Sequence, residues 1–283
     1  MTGFDESAEH GPAAHTGLRS ASQNQLRSAR RLVRRKERAA AGSFLAEGPQ
    51  AVREALAVPK IVTALFVSRS ALDRHADLVE VAVQEGLGPV LVSDRDLAGL
   101  SETVTPQGLV ALCRTVDVGL EAALAGTPRM VVCCARVRDP GNAGTVIRCA
   151  DAFGAHAVVL TEGSVDAYNP KTVRASAGSI FHLPLVLGAG LEETLDRCRE
   201  RGLQVLAADG SGDVDLDQLA RSGAIARPTV WLMGNEAWGL PDEQLRLVDQ
   251  VVRVPLYGAA ESLNLSTAAA VCLYATASAQ HAR

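Results

Sequence analysis

The chain has 283 residues, which is enough for one large domain or for two domains of ordinary size. It is 47% hydrophobic and carries a net charge of −4, which excludes an intrinsically disordered chain and a protein that is basic along its whole length. No segment approaches the roughly 20 apolar residues of a membrane span, and the N-terminal residues lack the apolar core of a signal peptide, so we expect a cytoplasmic protein without membrane contact.

The beginning of the chain divides into a polar segment and an arginine-rich segment. Residues 1–18, which are small and polar, predict a flexible tail. Between residues 18 and 41, basic side chains recur at spacings that would place them in neighbouring rows of one helix. Because like charges repel along a helix, this composition indicates an anionic partner such as nucleic acid, and a solvated surface is the alternative. The basic residues are Arg27, Arg30, Arg31, Arg34, Arg35, Lys36 and Arg38.

A compact α/β unit is predicted after the arginine-rich segment. Residues 118–128, with their Gly, Ala and Pro, predict a linker that follows this unit. The apolar periodicity predicts helices over 49–57 and 71–84 and strands over 61–68, 90–92 and 108–114.

The remainder of the chain repeats the alternation of strands and helices. Because its strands are almost continuously apolar and are separated by helices, we expect a mostly parallel sheet that is covered on both faces. The predicted strands are 129–135, 157–160, 204–207, 229–233 and 250–254. The predicted helices are 143–152, 191–201, 242–248 and 266–280.

Several common kinds of site are missing from the sequence. The turn over residues 139–144 lacks the spacing of a dinucleotide-binding glycine motif. Asp213, Asp215 and Asp217 lack the glycine and glutamate of a calcium-binding loop and predict the N-terminus of a helix instead. The six cysteines show no zinc spacing, and Cys133 and Cys134 predict buried strand residues. We therefore expect no metal.

Three polar segments in the second half carry a specific pattern. Two of them follow predicted strands, at the edge where open α/β sheets bind their ligands. The segments contain Asn142-x-Gly144-x-x-x-Arg148, Gly234-Asn235-Glu236-x-x-Gly239-Leu240 and Pro255-x-x-Gly258-x-x-x-Ser262-Leu263-Asn264. In this order they resemble the three motifs of the SpoU (TrmH-type) RNA 2′-O-ribose methyltransferases, which belong to the SPOUT superfamily.

The resemblance implies an α/β fold in two parts. A C-terminal SPOUT domain over residues 129–283 would have a mostly parallel sheet and a trefoil knot. Residues 32–56, with Phe44-Leu45-Ala46-Glu47-Gly48-Pro49, are similar to the start of an L30e-like domain that binds the RNA substrate, here residues 19–117. The protein would then be a homodimeric enzyme that uses S-adenosylmethionine (AdoMet) to methylate RNA. The favoured substrate is 23S ribosomal RNA.

The resemblance also assigns roles to individual residues. Arg148 would act at the ribose hydroxyl, oriented together with the cofactor by Asn142, Glu236, Ser262 and Asn264, of which the last two also suit helix caps. The implied AdoMet-binding residues are Met233, Gly234, Val254, Leu256 and Leu263. The implied RNA-binding residues are Arg27, Arg30, Arg31, Arg34, Arg35, Lys171 and Arg174. The chain departs from the family at Trp238, where smaller residues are common.

Other interpretations stay open at this point. The substrate could be tRNA instead of 23S rRNA, and the role could be housekeeping or resistance to ribosome-targeting antibiotics. A non-catalytic RNA-binding protein would be expected to have lost Arg148, Asn264 or the loop glycines, all of which are present. Base methylation, as in guanine-N1 tRNA enzymes of the same superfamily, uses different motifs.

Overall fold

The structure is a computed structural model that describes residues 18–103 and 105–282. Apart from Leu18, the predicted flexible tail lies outside the described residues. Within them, no helix combines the length and the apolar character that crossing a membrane requires.

The first half folds around a five-stranded sheet of order β1-β4-β3-β5-β2. β4 pairs in parallel with β1 and β3, whereas β5 runs antiparallel to β2 and β3. The strands are β1 (Arg19–Ser20), β2 (Ser43–Glu47), β3 (Val62–Ser68), β4 (Val90–Val92) and β5 (Leu109–Arg114). The helices are α1 (Gln23–Arg31), α2 (Arg35–Ala41), α3 (Pro49–Ala57), α4 (Arg69–Arg74), α5 (Ala76–Gln84) and α6 (Asp94–Ala98).

The arginine-rich segment is not one helix, so the prediction of continuous basic rows is wrong. α1 ends at Arg31 and α2 begins at Arg35. The guanidinium of Arg38 stabilises this break, since its Nη1 donates to the carbonyl oxygens of Leu32 and Val33, at 2.7 Å each. Arg38 is therefore buried beneath the turn and is not part of the basic surface.

The second half folds around a seven-stranded sheet that is parallel throughout, which confirms the expected fold class. Its order is β10-β12-β9-β11-β6-β7-β8. The strands are β6 (Met130–Cys134), β7 (Ala157–Thr161), β8 (Leu185–Ala189), β9 (Gln204–Ala208), β10 (Val214–Asp215), β11 (Thr229–Met233) and β12 (Gln250–Arg253). The helices are α7 (Leu120–Ala123), α8 (Pro140–Ala152), α9 (Pro170–Ser176), α10 (Leu191–Glu200), α11 (Leu216–Ser222), α12 (Asp242–Leu245) and α13 (Leu265–His281).

The parallel sheet separates two apolar cores. Along β6, Val132 and Cys134 point into one core, whereas Val131 and Cys133 point into the other, as the alternation of side chains along a strand requires. Both cysteines are free and buried, as expected. Burial raises the pKa of the Cys134 thiol to about 12, so this residue behaves as a small apolar side chain.

Several elements differ from the sequence-based expectation. The helix expected over 71–84 is two helices, because the chain leaves helical geometry at His75 (φ −131°, ψ 38°). The segment 118–128, which was expected to be a linker, contains α7, whose Ala123 is buried in one core of the parallel sheet. β8 was not expected, because Pro184 before it and Gly188 within it weaken the strand pattern.

The two halves are joined through buried side chains. The ring of Tyr168 packs on Phe44, with ring centroids 4.6 Å apart. The guanidinium of Arg38 donates through Nε and Nη2 to Oδ2 of Asp166, at 2.9 and 2.6 Å. These contacts fix the orientation of the N-terminal sheet relative to the parallel sheet.

Candidate active site

A cavity of about 420 Å³ opens at the carboxyl ends of β9, β11 and β12. Three loops that follow these strands form its walls, and the first turn of α13 closes one side. A cavity at this edge of a parallel sheet is the common position for a ligand, and its volume suits a small organic cofactor.

The cavity brings together most of the residues that the motifs singled out. Glu236, Ser262 and Asn264 line it. All the residues that the resemblance assigned to the cofactor also line it, namely Met233, Gly234, Val254, Leu256 and Leu263. Asn142 and Arg148 lie outside the cavity wall, although Asn142 is bonded to two of its residues.

The sequence analysis missed the loop that follows β9. Ala208, Asp209 and Gly210 line the cavity beside the second motif. Asp209 Oδ1 accepts hydrogen bonds from the backbone N–H and hydroxyl of Ser211, at 2.9 and 2.7 Å. The available signal was a charged residue directly after a buried strand. It was missed because only the pairing of β9 with β11 brings this loop to the site.

The carboxylate of Glu236 ties the second motif to the first. It accepts hydrogen bonds from the backbone N–H groups of Arg138 (3.1 Å) and Asp139 (3.0 Å) and from the side-chain amide of Asn142 (3.2 Å). Burial by itself would raise the pKa of Glu236, but these donors, together with its own backbone N–H, outweigh burial and lower it. Glu236 is therefore ionised at neutral pH and holds the loop against the start of α8.

Asn264 joins the third motif to the same group. Its Nδ2 donates to Oδ1 of Asn142 at 3.0 Å, while its Oδ1 accepts from the backbone N–H of Ser266 at 2.9 Å and caps α13. Asn264 is thus the N-cap of α13, which is one of the two roles expected for it. Ser262 does not cap α13, which begins three residues later, and its hydroxyl is exposed in the cavity.

Two glycines of the motifs stand where a side chain would not fit. A Cβ on Gly144 would lie 2.4 Å from the carbonyl oxygen of Thr172, so glycine allows α8 and α9 to pack closely. A Cβ on Gly234 would lie 2.6 Å from the backbone carbon of Gly239 across the loop. Substitution at Gly234 therefore displaces the cavity wall itself.

Arg148 lies on α8 and is exposed to solvent. It stands six residues after Asn142, about 9 Å along the helix axis. Helical periodicity places it on the same face as Gly144, toward α9, and not on the face of Asn142. Within residues 18–103 and 105–282, the Arg148 guanidinium has neither an acidic partner nor a side-chain hydrogen bond. This charge is therefore available to a ligand.

Most of the other basic residues that the resemblance assigned to RNA fall into two groups, whereas Arg35, the first residue of α2, lies outside both. On α9, Lys171 pairs with Asp139 at 2.9 Å and lowers its pKa, and Arg174 lies 3.6 Å from Glu47. In the first half, a surface depression is lined by Gln23, Arg27, Arg30, Arg31 and Arg34. We call these four arginines the arginine cluster. Among the described residues, no group of side chains suited to holding a metal ion occurs.

Comparison with known proteins identifies the family of both parts of the chain. The profile of the SpoU rRNA Methylase family matches residues 129–274, and that of the MRM3-like substrate binding domain matches residues 23–111. The 23S rRNA (guanosine(2553)-2′-O)-methyltransferase RlmP of Bacillus subtilis is 34% identical over 91% of this chain and 97% of its own length. The 23S rRNA (guanosine-2′-O-)-methyltransferase RlmB of Bordetella pertussis is 30% identical over 76% of this chain and 89% of its own.

Solved structures resemble most of the chain. The SpoU methyltransferase AviRb of Streptomyces viridochromogenes superposes with a TM-score of 0.79 at 28% identity, covering 92% of this chain and 98% of its own. An AdoMet-bound rRNA methyltransferase of Sinorhizobium meliloti gives a TM-score of 0.78 at 31% identity, with 92% and 96% covered.

Proposed function

The chain belongs to the SpoU rRNA methylase family, and we propose that it transfers the methyl group of AdoMet to a ribose 2′-hydroxyl of 23S ribosomal RNA. The observation that carries this proposal is the cavity, where the second and third motifs meet and where Asn264 and Glu236 reach Asn142 of the first. RlmP and RlmB both act on guanosine, so guanosine is the first nucleotide to test.

The residues of the cavity suit AdoMet. Met233, Val252 and Leu256 provide apolar walls for an adenine ring. Asp209 and Glu261 also line the cavity and complement the positive charges of the sulfonium and the amino group. Gly234 lines the cavity without a side chain, so a cofactor could approach its backbone closely.

The chemistry of the chain's own residues is positioning and charge stabilisation. Bound in the cavity, AdoMet supplies an activated methyl group on a sulfonium. Asn142, held by Glu236 and Asn264, would orient the ribose, and Ser262 would contact the ligand from the cavity wall. Arg148 would stabilise the negative charge that develops on the ribose oxygen as its proton leaves.

The organisation of the chain is also part of the proposal. Residues 129–283 would carry catalysis, and residues 19–117 would hold the RNA, joined by 118–128. Family membership supports a trefoil knot in the catalytic part. We further propose a homodimer that pairs through α13, where Val271 and Tyr274 are 37% and 62% exposed although both are large apolar residues.

A direct test of the proposed function measures binding and transfer separately. The purified protein is expected to bind AdoMet by calorimetry and to place a 2′-O-methyl group on an unmodified 23S rRNA transcript, mapped at nucleotide resolution. Gly234→Ala is expected to lose AdoMet binding, because the new Cβ would collide with Gly239. Gly88→Ala changes a glycine with open space around it and no positive φ, and serves as the control. Methylation of tRNA but not of 23S rRNA would show that the substrate is tRNA and not 23S rRNA.

The arginine cluster is expected to bind phosphates of the RNA. Arg27 and Arg34 are exposed and, within the described part of the chain, have no acidic partner. Changing both to alanine should weaken RNA binding and reduce the slope of log K against log salt by about 0.7–0.9 for each phosphate that is no longer neutralised. The control is the double variant Arg129→Ala with Arg246→Ala, which removes an equal number of positive charges near the amino edge of the parallel sheet. This control should leave the slope unchanged. Equal slopes for the two double variants would show that the cluster is not part of the RNA-binding surface.

A further inference from the structure

An exposed indole stands beside the cavity. Trp238 is 53% exposed. It is one of two tryptophans in a protein in which only 4% of the residues are aromatic. The other tryptophan, Trp231, is fully buried in β11 and donates its indole N–H to the hydroxyl of Thr276 at 2.9 Å. Exposure of a large flat ring next to a reaction site points to contact with a ligand rather than to packing.

The loop that carries Trp238 is closed and well braced. Asn235 and Gly239 exchange backbone hydrogen bonds of 2.9 Å across it. The side chain of Asn235 accepts from the N–H of Ala237 at 2.9 Å and donates to the carbonyl of Arg136 at 2.6 Å. Trp238 is thus presented by a fixed loop, two residues after Glu236, which lines the cavity.

A cation is stacked on the ring. The guanidinium carbon of Arg138 lies 4.9 Å from the centroid of the Trp238 ring. The backbone N–H of Arg138 donates to the carboxylate of Glu236 at 3.1 Å, which holds Arg138 against the loop that carries Trp238. In the part of the chain that the structure describes, the Arg138 guanidinium has no acidic partner. The stack therefore presents both an aromatic surface and an uncompensated positive charge.

We propose that Trp238, backed by Arg138, is a stacking platform for a nucleobase of the RNA at the methylated site. Proteins recognise unpaired RNA bases by stacking them on aromatic rings and on arginine planes. The charges nearby favour RNA over a protein partner, since Arg136, Arg138 and Arg148 are exposed and Asp139 is already paired with Lys171. This inference rests on the proposed function and assigns the ring a role in holding the nucleotide.

The first test compares Trp238→Ala, Trp238→Phe and the wild type in the initial rate of 23S rRNA methylation, measured at saturating AdoMet over a range of RNA concentrations. Loss of one stacked base is expected to raise the half-saturating RNA concentration about 10–100-fold for Trp238→Ala. Trp238→Phe keeps a ring and should stay within about threefold of the wild type. The AdoMet dissociation constant should not change in either variant. Val83→Ala, which shortens another exposed apolar residue (54%), is the matched control.

The second test uses the tryptophans as probes. A short RNA carrying the methylated site should quench the fluorescence of exposed Trp238 and leave that of buried Trp231 unchanged. Trp238→Phe should abolish the quenching while retaining RNA affinity. Quenching in a wild type that transfers no methyl group would support the stacking platform and contradict the proposed function.

Two results would overturn the platform while leaving the proposed function intact. One is that the wild type methylates RNA and that the half-saturating RNA concentration of Trp238→Ala lies within about twofold of the wild-type value. The other is a Trp238→Ala variant that sediments with fewer subunits than the wild type and binds RNA equally well, which would assign the ring to a contact between copies of the chain.

Discussion

Replacing Arg148 with alanine is expected to slow methyl transfer about 10²–10³-fold, which is the usual effect of removing one preorganised charge at a developing oxyanion. The expectation rests on the exposure of Arg148 on α8 and on the absence of an acidic partner for it in the described residues. AdoMet binding should be unaffected, because Arg148 does not line the cavity. Single-turnover rates at saturating AdoMet and RNA separate the chemical step from binding.

The control for this variant is another exposed arginine of the same half. Arg129 precedes β6 at the amino edge of the parallel sheet, opposite the cavity, and Arg129→Ala should react at the wild-type rate. Arg148→Lys should recover little activity, because an ammonium lacks the planar fork that bridges a phosphate and a hydroxyl. A rate for Arg148→Ala within about threefold of the wild type would make Arg148 structural and require another route for the proton.

Replacing Asp166 with alanine is expected to lower the free energy of unfolding by about 3–5 kcal/mol, because it leaves a buried guanidinium without its counter-charge. The side chains of Arg38 and Asp166 are only 4% and 13% exposed. Asp166 also accepts from the backbone N–H of Tyr168 at 2.9 Å through its other oxygen. The midpoint of urea unfolding, followed by circular dichroism, measures the effect.

A surface pair provides the comparison for the buried one. Arg53 and Asp77 lie 2.9 Å apart with side chains 52% and 56% exposed, so Asp77→Ala should cost less than about 1 kcal/mol. Asp166 is a cleaner target than Arg38, whose loss would also leave the carbonyls of Leu32 and Val33 without their donor. Equal midpoints for the two aspartate variants would show that the buried pair adds nothing to stability.

Regular elements with a simple apolar pattern could be predicted from the sequence. The helix over 49–57 and the strands over 90–92 and 229–233 have the bounds that the pattern gave. Local periodicity was sufficient for these elements because each buries a face that its own residues define. The cavity residues of the second and third motifs followed from the resemblance to the family, not from periodicity.

The features that escaped prediction depend on contacts between distant residues. The break between α1 and α2 is stabilised by Arg38, whose burial in turn depends on Asp166 in the other half of the chain. The contribution of Asp209 to the cavity depends on the strand order, which places β9 beside β11. The network of Asn142, Glu236 and Asn264 likewise joins segments more than 90 positions apart.

The position of Arg38 has a consequence for how a target nucleotide is chosen. The same guanidinium bonds the turn after α1, which carries part of the arginine cluster, and also bonds Asp166 in the other half of the chain. The arginine cluster and the cavity are thereby held at one fixed separation. An RNA bound at both proposed sites would offer to the cavity only those riboses that lie at that separation in its folded form. The choice of the methylated nucleotide would then depend on distance as well as on sequence.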